Sequence, residues 1–383
     1  MPGSTSGAAA TRAGTEERNV ISPAKSIRLG ALAAVASLVL AACGGAQSVA
    51  PSTEPSTAPS VAPSLEPSVE PGTLPAPELA DISIGLSVTE VSQYAAVLAS
   101  QLGIYEKYGL NVEYTVFEGD GRAVAALQAG QIDIAFTGTS SAISSQLTDA
   151  PYKDIAVNAM LLTDNLTCQG SIKTPADVKG KTIAISTFGG TSNAAALLSL
   201  KALGYSATDA VITQVGGQSA RIAALTGGSI DCAIVDSNLE ADMVAQGFSI
   251  LVRLKEAGIE YGRSGMGALE EWLAANPNTA LVALAAVLEA QNIIFDTPNV
   301  AITAYAAFRQ IDTEAATKQI TDFGQVGNRS LMWSDEAFNN ARKTLAIINP
   351  DIIDVPVTDA FDRSFLEKLV EIGFYEKIGS PVP

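Results

Sequence analysis

Two glycine-containing, hydroxyl-rich stretches hold the residues best suited to gripping a small polar molecule. They are "TGTSS" (Thr137–Ser141) and "STFGGTSN" (Ser186–Asn193), and each leads into a segment that reads as a helix. A helix start leaves backbone N–H groups without intrahelical partners. Glycine lets a ligand approach the backbone, and hydroxyls either cap the helix or bond the ligand. That chemistry suits a carboxylate, sulfonate, nitrate or phosphate. Ordinary capping beside a turn glycine uses the same residues, so the weight lies in two such loops at matching places. Thr139 with Ser140, and Thr191 with Ser192, are expected to hold one ligand from opposite walls, with Gly190 leaving room for the approach.

Covalent chemistry has fewer candidates. The 383 residues include no histidine, which removes Ser-His-Asp and Cys-His catalysis and every His-ligated metal site. Three cysteines cannot build an all-cysteine zinc site. Lys, Asp and Glu remain available, but no nucleophile–base constellation is legible. The expectation is no enzyme, no cofactor and no metal. A net charge of −17 repels phosphate backbones and argues against nucleic acid.

The elements that must position the two loops form a repeat. "LQAGQIDIAF" (Leu127–Phe136) returns as "LTGGSIDCAI" (Leu225–Ile234), which is too far along for a solenoid unit but suits two similar α/β lobes. Alternating patterns predict strands at Ile82–Val88, Asn111–Phe117 and Ile132–Thr137 with helices at Gln93–Gly109, near Arg122–Ala129 and from Ser140. A second βαβαβα set follows, with strands ending near Thr187, at Val215 and at Asp236. Beyond Leu269 the pattern is mainly helical. In the repeated phrase the leucine faces a sheet, the glycine turns left-handed and the alanine permits close packing.

Open parallel sheets bind ligands beyond the carboxyl ends of their strands. In lobe one this selects Thr89, Glu90, Gln93, Tyr94, Asp120, Gly121, Thr137, Gly138, Thr139 and Ser140. In lobe two it selects Phe188, Gly189, Gly190, Thr191, Ser192, Asn193, Asp236 and Asn238. Arg122 and Arg221 either supply positive charge there or stand as solvated residues of a first helical turn. With Glu90, Glu118, Asp120 and Asp236 near the cleft, a zwitterion or a heterocycle with N–H donors fits better than a simple anion.

The amino-terminal part reads as targeting and spacing. Lys25 and Arg28 precede the apolar run Leu29–Ala42, too short to span a bilayer comfortably. It ends in Leu40-Ala41-Ala42-Cys43, a bacterial lipobox with Cys43 as the lipidation site. Gly44–Ala80 carries a four-residue proline period and is expected to be an extended, disordered tether, dispensable for binding. Cys168 and Cys232 are expected to be two buried apolar residues, although a disulfide is permitted outside the cytosol.

Several phrases resemble solute-binding proteins of the nitrate/sulfonate/taurine class of ABC importers, a group that includes thiamin-pyrimidine-synthase-like proteins. They are "LGIYEKYGLNVEY", "ALQAGQIDIAFTGTSSAI", "TPADVKGKTIAIS", "LKALGYSATDAVITQV" and "LAANPNTALVALAAVLEA". The resemblance covers nearly all of Asp81–Pro383. It implies a two-lobed type II periplasmic-binding fold, each lobe an open, mostly parallel sheet flanked by helices, with a helical carboxy-terminal segment. The expected organisation is 1–42 signal peptide, 43–80 tether, 81–167 first part of lobe one, 168–255 lobe two and 256–383 the return to lobe one. It further implies a lipid-anchored, monomeric extracytoplasmic receptor that delivers a sulfonate or taurine-like zwitterion, a nitrate-like anion or a pyrimidine-type heterocycle to a permease. A sensor or scaffold lipoprotein and an enzyme of the pyrimidine-synthesis-like branch are the alternatives. The synthase version depends on a histidine, which this chain lacks.

Overall fold

A computed structural model describes residues Gly72–Pro383. The expected signal segment, Cys43 and the first part of the expected tether lie outside the described residues. Among the described residues ten strands form two five-stranded sheets. The first contains β1 (Asp81–Leu86), β2 (Asn111–Val116), β3 (Ile134–Thr137), β4 (Tyr152–Leu161) and β10 (Glu260–Leu269) in the order β2-β1-β3-β10-β4. The second contains β5 (Asp164–Cys168), β6 (Thr182–Ile185), β7 (Val211–Gln214), β8 (Cys232–Asp236) and β9 (Ser249–Arg253) in the order β7-β6-β8-β5-β9. Each sheet has three parallel strands, then one antiparallel strand, then an edge strand.

The repeated phrase works identically in both sheets. Leu127 and Leu225 are buried, and Ala135 and Ala233 lie in the sheet interior. Gly130 and Gly228 have φ of 65° and 70°, which lets each helix end in a left-handed turn. The aspartates add a function that periodicity does not show. Asp133 accepts from the backbone N–H and hydroxyl of Ser83 at 2.7 Å, and Asp231 accepts from those of Thr182 at 2.9 Å. Each carboxylate thus ties its third strand to the start of the first.

The chain passes from the first sheet to the second between Leu161 and Asp164 and returns between Arg253 and Glu260. The first crossing comes one strand earlier than the 167/168 division. Strands β4, β5, β9 and β10 fall outside the two predicted sets. In β10, Gly262, Gly265 and Gly267 obscure the strand pattern, and packing explains them. An added Cβ would collide with Trp333 and Thr139, with the Asp154 carboxylate, and with the Lys153 carbonyl respectively. The helix Pro277–Asp296 is apolar and long enough to cross a membrane, yet 78% of its apolar window is buried in the first lobe's core. The predicted helix Gln93–Gly109 is two helices, Val91–Gln101 and Ile104–Lys107, broken at Gly103 with φ of 67°.

Cys168 and Cys232 are both fully buried, as expected, but they are also joined in a disulfide. They face each other in the β5–β8 pairing. Burial and pairing are therefore compatible, and the small-apolar reading understated the pair. The bridge closes a 64-residue separation, for which loop-closure entropy gives about 4 kcal/mol. Replacing both cysteines by alanine is expected to cost about 2–4 kcal/mol, read as a lower denaturation midpoint with a larger m-value, since the uncrosslinked denatured chain is less compact.

The end of the expected tether is also corrected. Residues from Gly72 pack on the first lobe: Gly72 N–H donates to the Ile372 carbonyl, and Leu74 lies against the core. Glu78 accepts from the Asn278 and Thr279 backbone N–H groups at 3.0 and 2.7 Å, capping the long helix. A chain starting at Ala80 therefore loses this cap. Glu78→Ala alone is expected to cost about 0.5–2 kcal/mol in urea denaturation.

Candidate functional site

Residues immediately after β1, β2 and β3 meet residues immediately after β6, β7 and β8 around one cavity of about 220 Å³. Thr89, Glu90, Gln93, Asp120 and Gly138 line it from the first lobe, and Thr191, Ser192, Gln218 and Arg221 from the second. Glycines sit where the lobes touch. A Cβ on Gly138 would strike the Thr191 side chain, and one on Gly217 would meet the Glu118 carbonyl oxygen at 2.5 Å. Gly138 thus makes room for the opposite lobe.

Asp120 is the central polar link. Its Oδ1 accepts from Gly138 N–H and its Oδ2 from Thr191 N–H, both at 3.1 Å. Those donors belong to the starts of two helices in different lobes, where the sequence suggests a ligand anion. The protein's own carboxylate holds them instead. Gly190 lies beside it: an added Cβ would come within 3.0 Å of Asp120 Oδ2 and of Thr187.

A second link centres on Arg263 of β10, which is 8% exposed. Its guanidinium pairs with Asp236, lies 3.6 Å from Asp164 Oδ2, and donates to Ser92 Oγ at 2.8 Å. Burial alone would lower the Arg263 pKa, but the carboxylates of Asp164, Asp236 and Glu90 outweigh it and push it up. Glu90 forms a third link, accepting from Gln218 Nε2 at 3.1 Å. Its pKa is raised by burial first and by Asp236 second, with Arg263 and Arg309 opposing. Asp164 is raised by burial, against Arg263.

Several other hydroxyls of the two loops bond within the protein. Thr137 pairs with Tyr152, Thr139 donates to the Gly262 carbonyl, and Ser140 pairs with Tyr261. Ser192 pairs with Ser186, and Asn193 accepts from Gly189 N–H. Thr139 and Ser140 thus serve packing inside lobe one. Tyr94 lies in an aromatic cluster with Tyr305 and Phe308, Phe188 is 55% exposed, and Gly121 packs near Thr187. Asp236 and Asn238 line an adjoining pocket, where Asp236 accepts from Asn238 N–H. Arg221 is not solvated: it is 5% exposed and donates to the Ile234 and Gly216 carbonyls. Arg122 is exposed.

Asp164, Gln218, Arg263 and Arg309 are site residues that the sequence reading misses. Asp164 and Arg263 belong to strands outside the repeated sets, so the rule of carboxyl strand ends does not reach them. Gln218 lies inside a loop that the rule does select, Gly216–Ser219.

Comparison with known proteins places this geometry. The family model described as NMT1/THI5 like matches residues 92–301. A Brucella abortus protein described as a binding protein is 32% identical over 116 residues. That match covers 29% of this chain and 35% of the relative, so the chain spans about a third of the curated relatives it matches. The alkanesulfonate-binding protein SsuA of Xanthomonas axonopodis pv. citri shares the fold, with a TM-score of 0.63 at 16% identity over 74% of this chain and 99% of that one. So does the nitrate-binding protein NrtA of Synechocystis, with a TM-score of 0.62 at 17% identity over 81% and 92%. The desulfurization enzyme DSZB shares it too, with a TM-score of 0.55 at 16% identity over 76% and 99%. At such identities the likeness concerns architecture, a periplasmic-binding fold that hosts both binders and an enzyme. Matched over more than half its length, the chain belongs to the NMT1/THI5-like family.

Proposed function

We propose that this protein is an extracytoplasmic receptor that closes its two lobes on a small polar solute and delivers it to an ABC importer. One observation carries the reading: a single cavity is walled by both lobes, and the links across it join groups of different lobes. Such links form only on closure, so a solute touching both walls shifts the protein toward the closed state. The Cys168–Cys232 disulfide supports an oxidising compartment. The lipobox at Cys43 supports membrane anchoring, with the proline-rich segment as spacer. The receptor is proposed to act as a monomer.

The test is native mass spectrometry of freshly purified protein, with release of any bound solute and small-angle scattering before and after its return. The expected result is one small molecule, recovered unchanged, whose return reduces the radius of gyration. A solute converted on incubation would instead make the protein an enzyme. Absence of closure with any solute would favour a sensor or scaffold. Cys43→Ser is expected to move the protein out of the membrane fraction, and a wild-type protein without lipid would refute the anchor.

A further inference from the structure

We propose that the cleft selects a small organic cation, a protonated amine or amidinium with a hydrogen-bond acceptor at its other end, whose N–H groups bond Glu90 and Asp164. The inference rests on the solute-binding reading above and narrows its ligand. The first observation is that the backbone N–H groups of Gly138 and Thr191 are taken by Asp120, which leaves an incoming anion no seat there. The second is a pair of orphaned acceptors. Glu90 and Asp164 line the cavity and are 8% and 5% exposed; Glu90 Oε2 has no hydrogen-bond donor, and Asp164 Oδ2 faces Arg263 Nε at 3.6 Å, an ion pair beyond hydrogen-bond distance. A buried acceptor left unmade is costly, and a ligand N–H relieves that cost.

The third observation is charge. Glu90, Asp120, Asp164 and Asp236 stand against Arg221, Arg263 and Arg309, which leaves one negative charge, and the exposed Glu118 adds another at the rim. Arg263 bonds Asp236 and Ser92 and is ion-paired with Asp164 without a hydrogen bond, and Arg221 donates to two carbonyls. Arg309 keeps a buried Nη1 without a partner, which is the donor for the ligand's acceptor. A net charge of +1 with an uncharged acceptor therefore fits better than a zwitterion, and a zwitterion better than an anion. The cavity of about 220 Å³ has the volume of roughly seven waters at about 30 Å³ each, enough for a two-carbon amine with a polar end.

The direction of the pH dependence follows. Glu90 is faced by Asp236, Arg263, Arg309 and the Gln218 amide, and burial raises its pKa. A bound cation favours the ionised carboxylate, so affinity for the cation falls as pH falls through the titration of Glu90.

Three probes built on a two-carbon spacer separate the classes on the full-length protein: β-alaninamide (cation), taurine (zwitterion) and isethionate (anion). Calorimetric titration at pH 7.5 is expected to rank them in that order, each step at least tenfold in Kd. In Glu90→Gln the preference for taurine over isethionate should shrink at least tenfold, and the pH dependence of β-alaninamide binding between pH 5 and 8 should flatten. Isethionate binding as tightly as taurine, or taurine as tightly as β-alaninamide, overturns the cation class and leaves the receptor standing. Silence of all three probes at 10 mM, in titration and in thermal shift, also overturns the cation class, while the receptor reading stands or falls separately on the solute recovered by native mass spectrometry. A Glu90→Gln protein with wild-type ranking and pH profile removes Glu90 from the site and overturns the assignment.

Discussion

Arg263→Met is expected to weaken the closed arrangement by about 3–5 kcal/mol, the cost of leaving buried carboxylates without their cation. Arg263 is the group that pairs both with Asp236 and with Asp164, and all three are nearly inaccessible to water. Asp164 and Asp236 come from β5 and β8 of the second sheet, whereas Arg263 comes from β10 of the first. Much of the cost therefore falls on closure, because an open cleft lets water reach the two acids. Small-angle scattering should show a larger radius of gyration, since 3–5 kcal/mol shifts the open-to-closed ratio by roughly two to three powers of ten or more. The pH sign is definite. Burial already raises the Asp164 pKa against the pull of Arg263, and without the guanidinium it rises further, so the Asp164 part of the penalty grows as pH rises above the ordinary carboxylate value and disappears in acid. Arg263→Lys keeps the charge but not the three-way fork, and should fall between wild type and methionine. A methionine variant as closed and as stable as wild type at pH 7 would show that the ion pairs are dispensable.

The contrast between the two lobes' sets and the residues linking them explains what the sequence makes legible. The parallel strands and their helices follow from periodicity, and the phrase with Asp133 and Asp231 marks equivalent places because both carboxylates do the same work. Arg263 escapes because β10 is a strand whose glycines answer to neighbours, Asp154 and Trp333 among them, and those neighbours are distant in sequence. The hydroxyl-rich helix starts are legible as places where N–H groups need an acceptor. Which acceptor arrives is a tertiary fact: Asp120 starts the helix Asp120–Gln128, and nothing in its local sequence says that it reaches Thr191 in the other lobe. Likewise Cys168 and Cys232 look like two separate core residues until the β5–β8 register sets them opposite each other.

Asp120→Ala is the complementary test, and it should produce a protein that an added carboxylate repairs. Hydrogen bonds to a charged acceptor contribute about 1.5–3 kcal/mol each, and Asp120 accepts one from each lobe. Their loss is expected to lower the melting temperature and to open the cleft, since the Thr191 bond spans the two lobes. Alanine leaves space beside Gly138 and Gly190, where the two N–H groups still converge. Formate at tens of millimolar should then raise the variant's melting temperature toward that of wild type and leave wild type itself unmoved. For the same reason the variant should bind isethionate at least tenfold more tightly than wild type does. Asp120→Asn separates the contributions: its amide oxygen can replace one acceptor but carries no charge, so it should recover part of the stability and respond weakly to formate. If Asp120→Ala closes and melts like wild type and ignores formate, the two helix starts do not depend on this carboxylate. A variant that is destabilised but still indifferent to formate and isethionate would assign Asp120 to packing alone. Rescue by the small anion, confined to the variant, is the result expected if a built-in carboxylate fills the seat to which the two helix starts would otherwise draw a solute.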